Sequence, residues 1–251
     1  MYWKGIAASF FIVLAVSAIS YNATETTDAP AGRAKETHQP EENPEQSEEK
    51  PGQPEEGDAR QQAAEELPPE IALTFDDGPH PVYTPMLLDG LKERGIKASF
   101  FLIGKNIEGR EDIVKRMDEE GHLIGNHTYS HVKLTSLSVS DACEELLKTS
   151  RLVKSITGHG TEFMRPPFGE WEKVMECGIG MFPVLWNVDT RDWTTENVSE
   201  IIRRGTSGIK DGSMILMHDY YESSVEAALK IVDTLEARGF VFVTVDELLL
   251  E

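Results

Sequence analysis

The chain has 251 residues and a formal net charge of −20 at pH 7. This acidity, with no lysine or arginine cluster to offset it, argues against a nucleic-acid substrate and permits a neutral or cationic one. The length allows either one domain or one domain with appendages, so the distribution of residue types has to decide.

The first residues are typical of an export signal. Lys4 precedes 16 small or apolar residues that run from Gly5 to Ser20. As a helix this run would span about 24 Å, less than the roughly 30 Å of a bilayer core. We interpret residues 1–21 as a signal peptide or a signal anchor. We therefore expect an exported protein, either membrane-anchored through this segment and facing the cell wall or secreted after cleavage.

Residues 22–69 are predicted to be a disordered acidic linker. No Phe, Trp or Tyr lies between Ala23 and Glu70, and Leu67 is almost the only large aliphatic residue there. Such a composition cannot bury enough apolar surface to offset the entropy of ordering the chain. The linker is either a tether that lets the domain reach into a surrounding wall or an inert spacer. Residues 70–251 are long enough for one packed domain.

Within that domain, short apolar runs alternate with amphipathic segments. The predicted order is strand Ile71–Phe75, helix Val82–Arg94, strand Ala98–Ile103, helix Glu111–Glu120, strand His122–Gly125, helix Ser138–Ile156, strand Phe163–Met164, helix Trp171–Glu176, strand Met181–Val188, helix Val198–Arg204, strand Ser213–Met217, helix Val225–Arg238 and strand Phe240–Val245. This alternation predicts an α/β fold with a parallel sheet, closed into a distorted (β/α) barrel of seven or eight strands. A doubly wound open sheet is the alternative, although no Gly-x-Gly-x-x-Gly follows the first strand.

Titratable or cationic side chains follow five of the predicted strands. They are Asp76, Asp77, His127, His131, Arg165, Asp189, Asp192 and His218. The carboxyl ends of the strands in a parallel barrel converge on one face, where active sites lie. We therefore expect these side chains to form one site.

Two of these groups predict a metal centre. The adjacent Asp76 and Asp77 resist joint ionisation unless a cation neutralises one of them, which predicts one ligand and one base. Turn formation before Gly78 is the alternative role for this pair. His127 and His131 are spaced as residues on the same side of a helical turn, which suits one divalent metal. Two His and one Asp leave a position open for water, as in catalytic zinc sites.

The other groups predict an acid–base pair. Arg165, in a proline-rich loop, is expected to pair with Asp76, and a surface salt bridge is the alternative. Asp192 is expected to keep His218 protonated for donation to a leaving group, and a buried structural histidine is the alternative. Trp193 is either a core residue or an apolar wall for a sugar ring.

Five motifs in this order resemble the polysaccharide deacetylases, also called carbohydrate esterase family 4 or NodB-homology domains. They are Thr74-Phe-Asp-Asp-Gly-Pro79, His127-Thr-Tyr-Ser-His131, Arg165-Pro-Pro-Phe-Gly169, Asp189-Thr-Arg-Asp-Trp193 and Ile215-Leu-Met-His218. The resemblance covers about Pro69 to Leu249. It implies a distorted (β/α) barrel that hydrolyses the acetamido group of N-acetylated sugars, or acetyl esters in some members.

The resemblance also assigns a role to each matching residue. The implied catalytic residues are Asp76 as base, His218 as acid, Arg165 orienting Asp76 and Asp192 orienting His218. The implied metal ligands are Asp77, His127 and His131, with Zn²⁺ as the default ion and Co²⁺ or another divalent ion as the alternative. The implied substrate-binding residues are Phe168, Trp193, Leu216 and Pro166. The family usually has Tyr at the position of Phe168, but a backbone N–H for the oxyanion is retained.

The expected substrate is a carbohydrate polymer, namely N-acetylglucosamine in peptidoglycan or a chitin-like oligomer, and export with a tether favours the cell's own wall. An O-deacetylase of acetylated xylan is the first alternative, and an inactive glycan-binding domain or a peptidase is weaker. We expect a monomeric catalytic domain. An exported chain permits a disulfide between Cys143 and Cys177, with buried free thiols as the alternative.

Overall fold

The computed structural model describes residues 67–171 and 178–250. The predicted signal segment, nearly all of the linker, Cys177 and all but the first residue of the predicted helix Trp171–Glu176 lie outside these ranges, so those predictions stay predictions. Cys143 is disulfide-bonded. Within the described ranges, no helix combines the length and the apolar character that a membrane span needs.

The predicted alternation of strands and helices is confirmed over the described residues. The strands are Glu70–Asp76 (β1), Ser99–Leu102 (β2), Leu123–Asn126 (β3), Phe163–Met164 (β4), Phe182–Pro183 (β5), Val188–Asp189 (β6), Ser213–His218 (β7) and Val241–Val243 (β8). The helices are Tyr83–Arg94 (α1), Gly104–Ile107 (α2), Glu111–Glu119 (α3), Val139–Thr157 (α4), Val198–Thr206 (α5), Glu222–Glu236 (α6) and Val245–Leu250 (α7). The short α2 and α7 were not predicted, because so few residues carry no helical periodicity.

The strands form one parallel sheet that curls into an incomplete barrel. Its order is β5-β4-β3-β2-β1-β7-β6, and β8 pairs with the first half of β1. The outermost strands, β5 and β6, are consecutive in the chain, so only residues 184–187 cross the opening of the barrel. The predicted distorted barrel is therefore confirmed.

The single strand predicted over Met181–Val188 is wrong, because this segment is divided between the two edges of the sheet. Pro183 has no N–H to donate to a ladder. The next two carbonyls, those of Val184 and Leu185, accept hydrogen bonds from the buried Arg165 guanidinium at 3.3 Å each. The hydrogen bonds to Arg165 thus replace the strand pairing that the apolar pattern predicted for this segment.

Apolar clusters on the two faces of the sheet determine where the site lies. The larger apolar cluster lies between the sheet and the helices and includes Leu73 and Phe75 of β1. The smaller cluster lies on the opposite, inner face and includes Ala72. Because strand side chains alternate between faces, Thr74 and Asp76 also point to the inner face. The inner face of β1 therefore changes from apolar to polar towards its carboxyl end, where Asp76 lies.

Candidate active site

Seven of the eight strand-end groups meet at one edge of the sheet, as the sequence predicted. The exception is Asp189, which is exposed and whose carboxylate contacts Arg191. The register of β1 places Asp76 opposite His218 on β7. Asn126, the last residue of β3, is paired with Met164 of β4, so His127 and Arg165 leave neighbouring strands side by side. The parallel sheet thus brings residues that are far apart in the chain into one cluster.

Asp77, His127 and His131, which the sequence predicted as metal ligands, lie together as a candidate metal-binding group. The Oδ1 atom of Asp77 lies 3.4 Å from Nε2 of His127 and 3.4 Å from Nε2 of His131. Ligand atoms bonded at 2.0–2.1 Å around a tetrahedral zinc ion lie roughly 3.3 Å apart. This Oδ1 atom is buried and has no hydrogen-bond partner, an arrangement that a bound cation would satisfy. The three side chains therefore fit a divalent metal ion.

A hydrogen bond orients His127 for ligation. Its Nδ1 lies 2.6 Å from the backbone oxygen of Arg165, so Nδ1–H donates and Nε2 keeps its lone pair. Burial lowers the pKa of His127, against the opposing charges of Asp76 and Asp77. The imidazole is thus held in the neutral tautomer whose free nitrogen faces Asp77.

The explanation of the His127–His131 spacing by a helical turn is wrong. Residues 127–131 form a loop, in which Thr128 has φ 64° and His131 has φ 55°. The loop is held by Glu145 of α4, whose Oε2 accepts from the N–H groups of Tyr129 at 3.0 Å and Ser130 at 2.7 Å. Glu145 lies too far along the chain for the motif to have indicated this role.

Positive φ values at described residues other than glycine are confined to the motif segments. Among the described non-glycine residues, those with positive φ are Asp77, Thr128, His131, Phe168 and Arg191. Such conformations cost on the order of 1–3 kcal/mol each and persist only where surrounding contacts hold them. The backbone strain of the domain is therefore concentrated around the metal-binding group and the loops beside it.

The predicted Asp76–Arg165 ion pair is confirmed. Arg165 is fully buried, and its Nη1 donates to Oδ1 of Asp76 and to Oγ1 of Thr74, both at 2.8 Å. Burial lowers the pKa of Arg165, and the Asp76 carboxylate counteracts this effect. The other Asp76 oxygen, Oδ2, lies 3.8 Å from Nε2 of His127. One oxygen of Asp76 is thus anchored while the other faces the metal-binding group.

The predicted Asp192–His218 pair is also confirmed. Oδ1 of Asp192 lies 2.8 Å from Nδ1 of His218, and Oδ2 accepts from the His218 backbone N–H at 2.8 Å. Burial alone would lower the pKa of His218, but the hydrogen bond and charge of Asp192, with the charges of Asp76 and Asp77, raise it to about 9. His218 is therefore protonated at neutral pH, with Nδ1 engaged by Asp192.

The four predicted substrate-binding residues differ in exposure. Phe168 is 65% exposed and Trp193 60%, so both offer apolar surface at the rim. The Phe168 ring packs edge-on against His131, with centroids 5.1 Å apart. Leu216 is only 5% exposed and Pro166 is buried, so these two offer little surface to a ligand.

The sequence did not indicate Asp219, which directly follows His218. Its carboxyl group is fully buried, accepts a hydrogen bond from the Thr84 hydroxyl, and has one oxygen without a partner. Burial raises the pKa of Asp219 to about 7. A Cβ atom at Gly78 would lie 2.6 Å from Asp219 Oδ1. Asp219 therefore packs against the turn that follows Asp77, and glycine is needed at position 78 because the Asp219 carboxyl group leaves no space for a Cβ atom.

Comparisons with known proteins agree with this geometry. A sequence profile described as polysaccharide deacetylase matches residues 63–178. The peptidoglycan-N-acetylglucosamine deacetylase PgdA of Listeria monocytogenes is 39% identical over 178 residues, which are 71% of this chain and 38% of PgdA. The chitooligosaccharide deacetylase of Sinorhizobium fredii is 31% identical over 190 residues, covering 69% of this chain and 88% of that relative.

A solved structure agrees with the fold. Peptidoglycan deacetylase PdaC from Bacillus subtilis matches with a TM-score of 0.70 and 38% identity, over 72% of this chain and 90% of that one. This chain spans well under half the length of PgdA, although it covers most of the chitooligosaccharide deacetylase. From its sequence, its fold and the residues at its strand ends, the chain belongs to the polysaccharide deacetylase family, carbohydrate esterase family 4.

Proposed function

We propose that this protein is a metal-dependent deacetylase of N-acetylated glycans, with N-acetylglucosamine of peptidoglycan or a chitin-like oligomer as substrate. One observation carries the proposal. An anchored carboxylate, Asp76, and a protonated imidazole, His218, occupy facing positions in the register of β1 and β7 beside a metal-binding group. A positioned carboxylate that can accept a proton and a protonated imidazole that can donate one are what hydrolysis of an amide requires.

Asp77, His127 and His131 would hold the ion, and their nitrogen and oxygen atoms suit Zn²⁺, with Co²⁺ or another divalent ion as the alternative. When bound, the ion polarises the acetyl carbonyl and lowers the pKa of water. Asp76 then accepts a proton on Oδ2 from the attacking water, while Arg165 prevents the carboxylate from rotating away.

The remaining steps use two further groups. The backbone N–H of Phe168 would donate to the oxyanion that forms as the water oxygen bonds to the acetyl carbon. The C–N bond then breaks, and His218 gives its proton to the leaving amine. Asp192 stabilises the imidazolium before the transfer and fixes its direction. The products are acetate and a glucosamine residue.

The relatives support a glycan substrate, since they act on peptidoglycan or on chitooligosaccharides. The predicted export signal and acidic linker favour the wall of the producing cell, with the protein anchored or secreted and the catalytic domain monomeric. An O-deacetylase of acetylated xylan would use the same residues with a different leaving group. An inactive glycan-binding domain is disfavoured, because each acid, base and ligand group is present and positioned.

Acetate release tests the proposal. The full-length protein, loaded with Zn²⁺ or Co²⁺, is incubated with peptidoglycan fragments, chitooligosaccharides and acetylated xylan, and the products are identified by mass spectrometry. We expect loss of acetyl groups from N-acetylglucosamine, abolished by Asp76→Asn and unchanged by Asp112→Asn at an exposed position of α3. Release from xylan alone would establish the ester alternative. No release from any substrate, or full activity of Asp76→Asn, would refute the proposal.

A further inference from the structure

A groove continues from the acid–base pair along the protein surface. A cavity of about 450 Å³ begins at Asp192 and Trp193 and extends to Tyr221. A second cavity, of about 380 Å³, extends from Tyr221 to Tyr83 at the start of α1. Both cavities share Glu196, Tyr221 and Ser223, so they form one continuous groove, the acidic groove. Each volume lies within the range of pockets that bind small ligands.

The aromatic side of the acidic groove is rigid before any ligand arrives. Tyr221 is 44% exposed and packs against Tyr220, with ring centroids 6.2 Å apart. Tyr220 packs edge-on against His80 at 4.8 Å, and His80 stacks on Tyr83 at 4.5 Å. Fixed aromatic rings bind the flat faces of sugars without losing much conformational entropy, and their faces attract cations.

The charge of the acidic groove is negative. Its carboxylates at the surface are Glu196, Glu222 and Glu226, and of these Glu226 pairs with Lys230. Among the described residues that line the two cavities there is no lysine, arginine or histidine. A neutral acetylated sugar can offer these carboxylates only hydroxyl and amide hydrogen bonds, whereas a sugar with a free ammonium group adds a charge attraction to the carboxylates and to the rings.

We propose that the acidic groove binds a glucosamine residue, already deacetylated, next to the sugar that is being deacetylated. The inference rests on the proposed function, because the cation it recognises is the product of that reaction. The groove begins at Asp192, which holds the acid His218, so a neighbouring sugar of the same chain reaches it directly. Deacetylation of one sugar then strengthens binding for attack on the next.

A binding measurement tests this without turnover. A glucosamine tetramer, which carries no acetyl group, is titrated by calorimetry into the full-length, zinc-loaded protein at low salt. We expect the Glu196→Gln/Glu222→Gln variant to bind it roughly threefold to tenfold more weakly than the unaltered protein, with the difference shrinking at high salt. Glu93→Gln/Glu119→Gln, which makes the same charge change on exposed positions of α1 and α3, should leave binding unchanged. Equal binding by both double variants, or no binding by the unaltered protein, would overturn the proposal.

Kinetics separate this proposal from the proposed function. The two substrates are an all-acetylated tetramer and a tetramer with one glucosamine beside an N-acetylglucosamine. We expect Glu196→Gln/Glu222→Gln to raise the KM of the mixed tetramer relative to that of the acetylated one. An equal rise for both substrates would show that the acidic groove binds sugars without sensing charge, and the proposal would be wrong. If neither substrate releases acetate, the proposed function fails, while the titration still decides whether the groove binds glucosamine.

Discussion

Replacement of Asp192 by Asn should shift the pH dependence of the reaction. Asp192 contacts His218 through both carboxylate oxygens, and its hydrogen bond and charge oppose the effect of burial on the imidazole. With a pKa of about 9, His218 is about 97% protonated at pH 7.5. Without the Asp192 hydrogen bond and charge, burial is opposed by the charges of Asp76 and Asp77 alone among the groups that raise the pKa of His218 in the described site, so this pKa falls. A fall to the ordinary value of 6.5 would leave about 9% of the imidazole protonated.

Because only the protonated imidazole can donate to the leaving amine, we expect kcat/KM at pH 7.5 to fall about tenfold. The alkaline limb of the pH profile should move down by up to about 2.5 pH units, measured as acetate release from a chitooligosaccharide between pH 6 and pH 10. Asp189→Asn is the matched control, since Asp189 belongs to the same motif but its Oδ1 accepts only from the Arg191 N–H, which Asn also permits. An alkaline limb that stays in place in Asp192→Asn would refute the assignment of His218 as the acid.

Three further changes test the remaining parts of the site. Arg165→Met leaves the buried Asp76 carboxylate without its partner, so the free energy of unfolding should fall by about 3–5 kcal/mol and activity should fall with it. Urea denaturation measures the change in stability, and an unchanged denaturation midpoint would contradict the buried ion pair. His127→Ala should weaken zinc binding by at least about 100-fold in competition with a chelator, whereas the exposed His159→Ala should not. Gly78→Ala forces a methyl group against the Asp219 carboxyl group and should lower the free energy of unfolding by about 1–3 kcal/mol. Ser155→Ala, at an exposed position of α4, is the control and should cause no loss of stability. Unchanged stability of Gly78→Ala would show that the turn can move.

The sequence alone determined the parallel α/β architecture and which polar residues at the strand ends belong to the site. Apolar periodicity is a local property, so it located strands such as β1 and β7 and the helices between them. Because parallel strands must end on one face, the order of strands and polar residues along the chain was enough to assign those residues to one cluster. Opposite charges at the carboxyl ends of strands then predicted the Asp76–Arg165 and Asp192–His218 pairs.

Tertiary contacts decided the rest. The carbonyls after Pro183 bind Arg165 instead of a neighbouring strand, the loop that carries His131 is held by Glu145 of a distant helix, and Asp219 is buried against Gly78. The acidic groove likewise joins the segment after Asp192 to the starts of α6 and α1. Each of these features depends on groups far apart in the chain. Local periodicity and residue type carry no information about such encounters, which exist only once the sheet has curled.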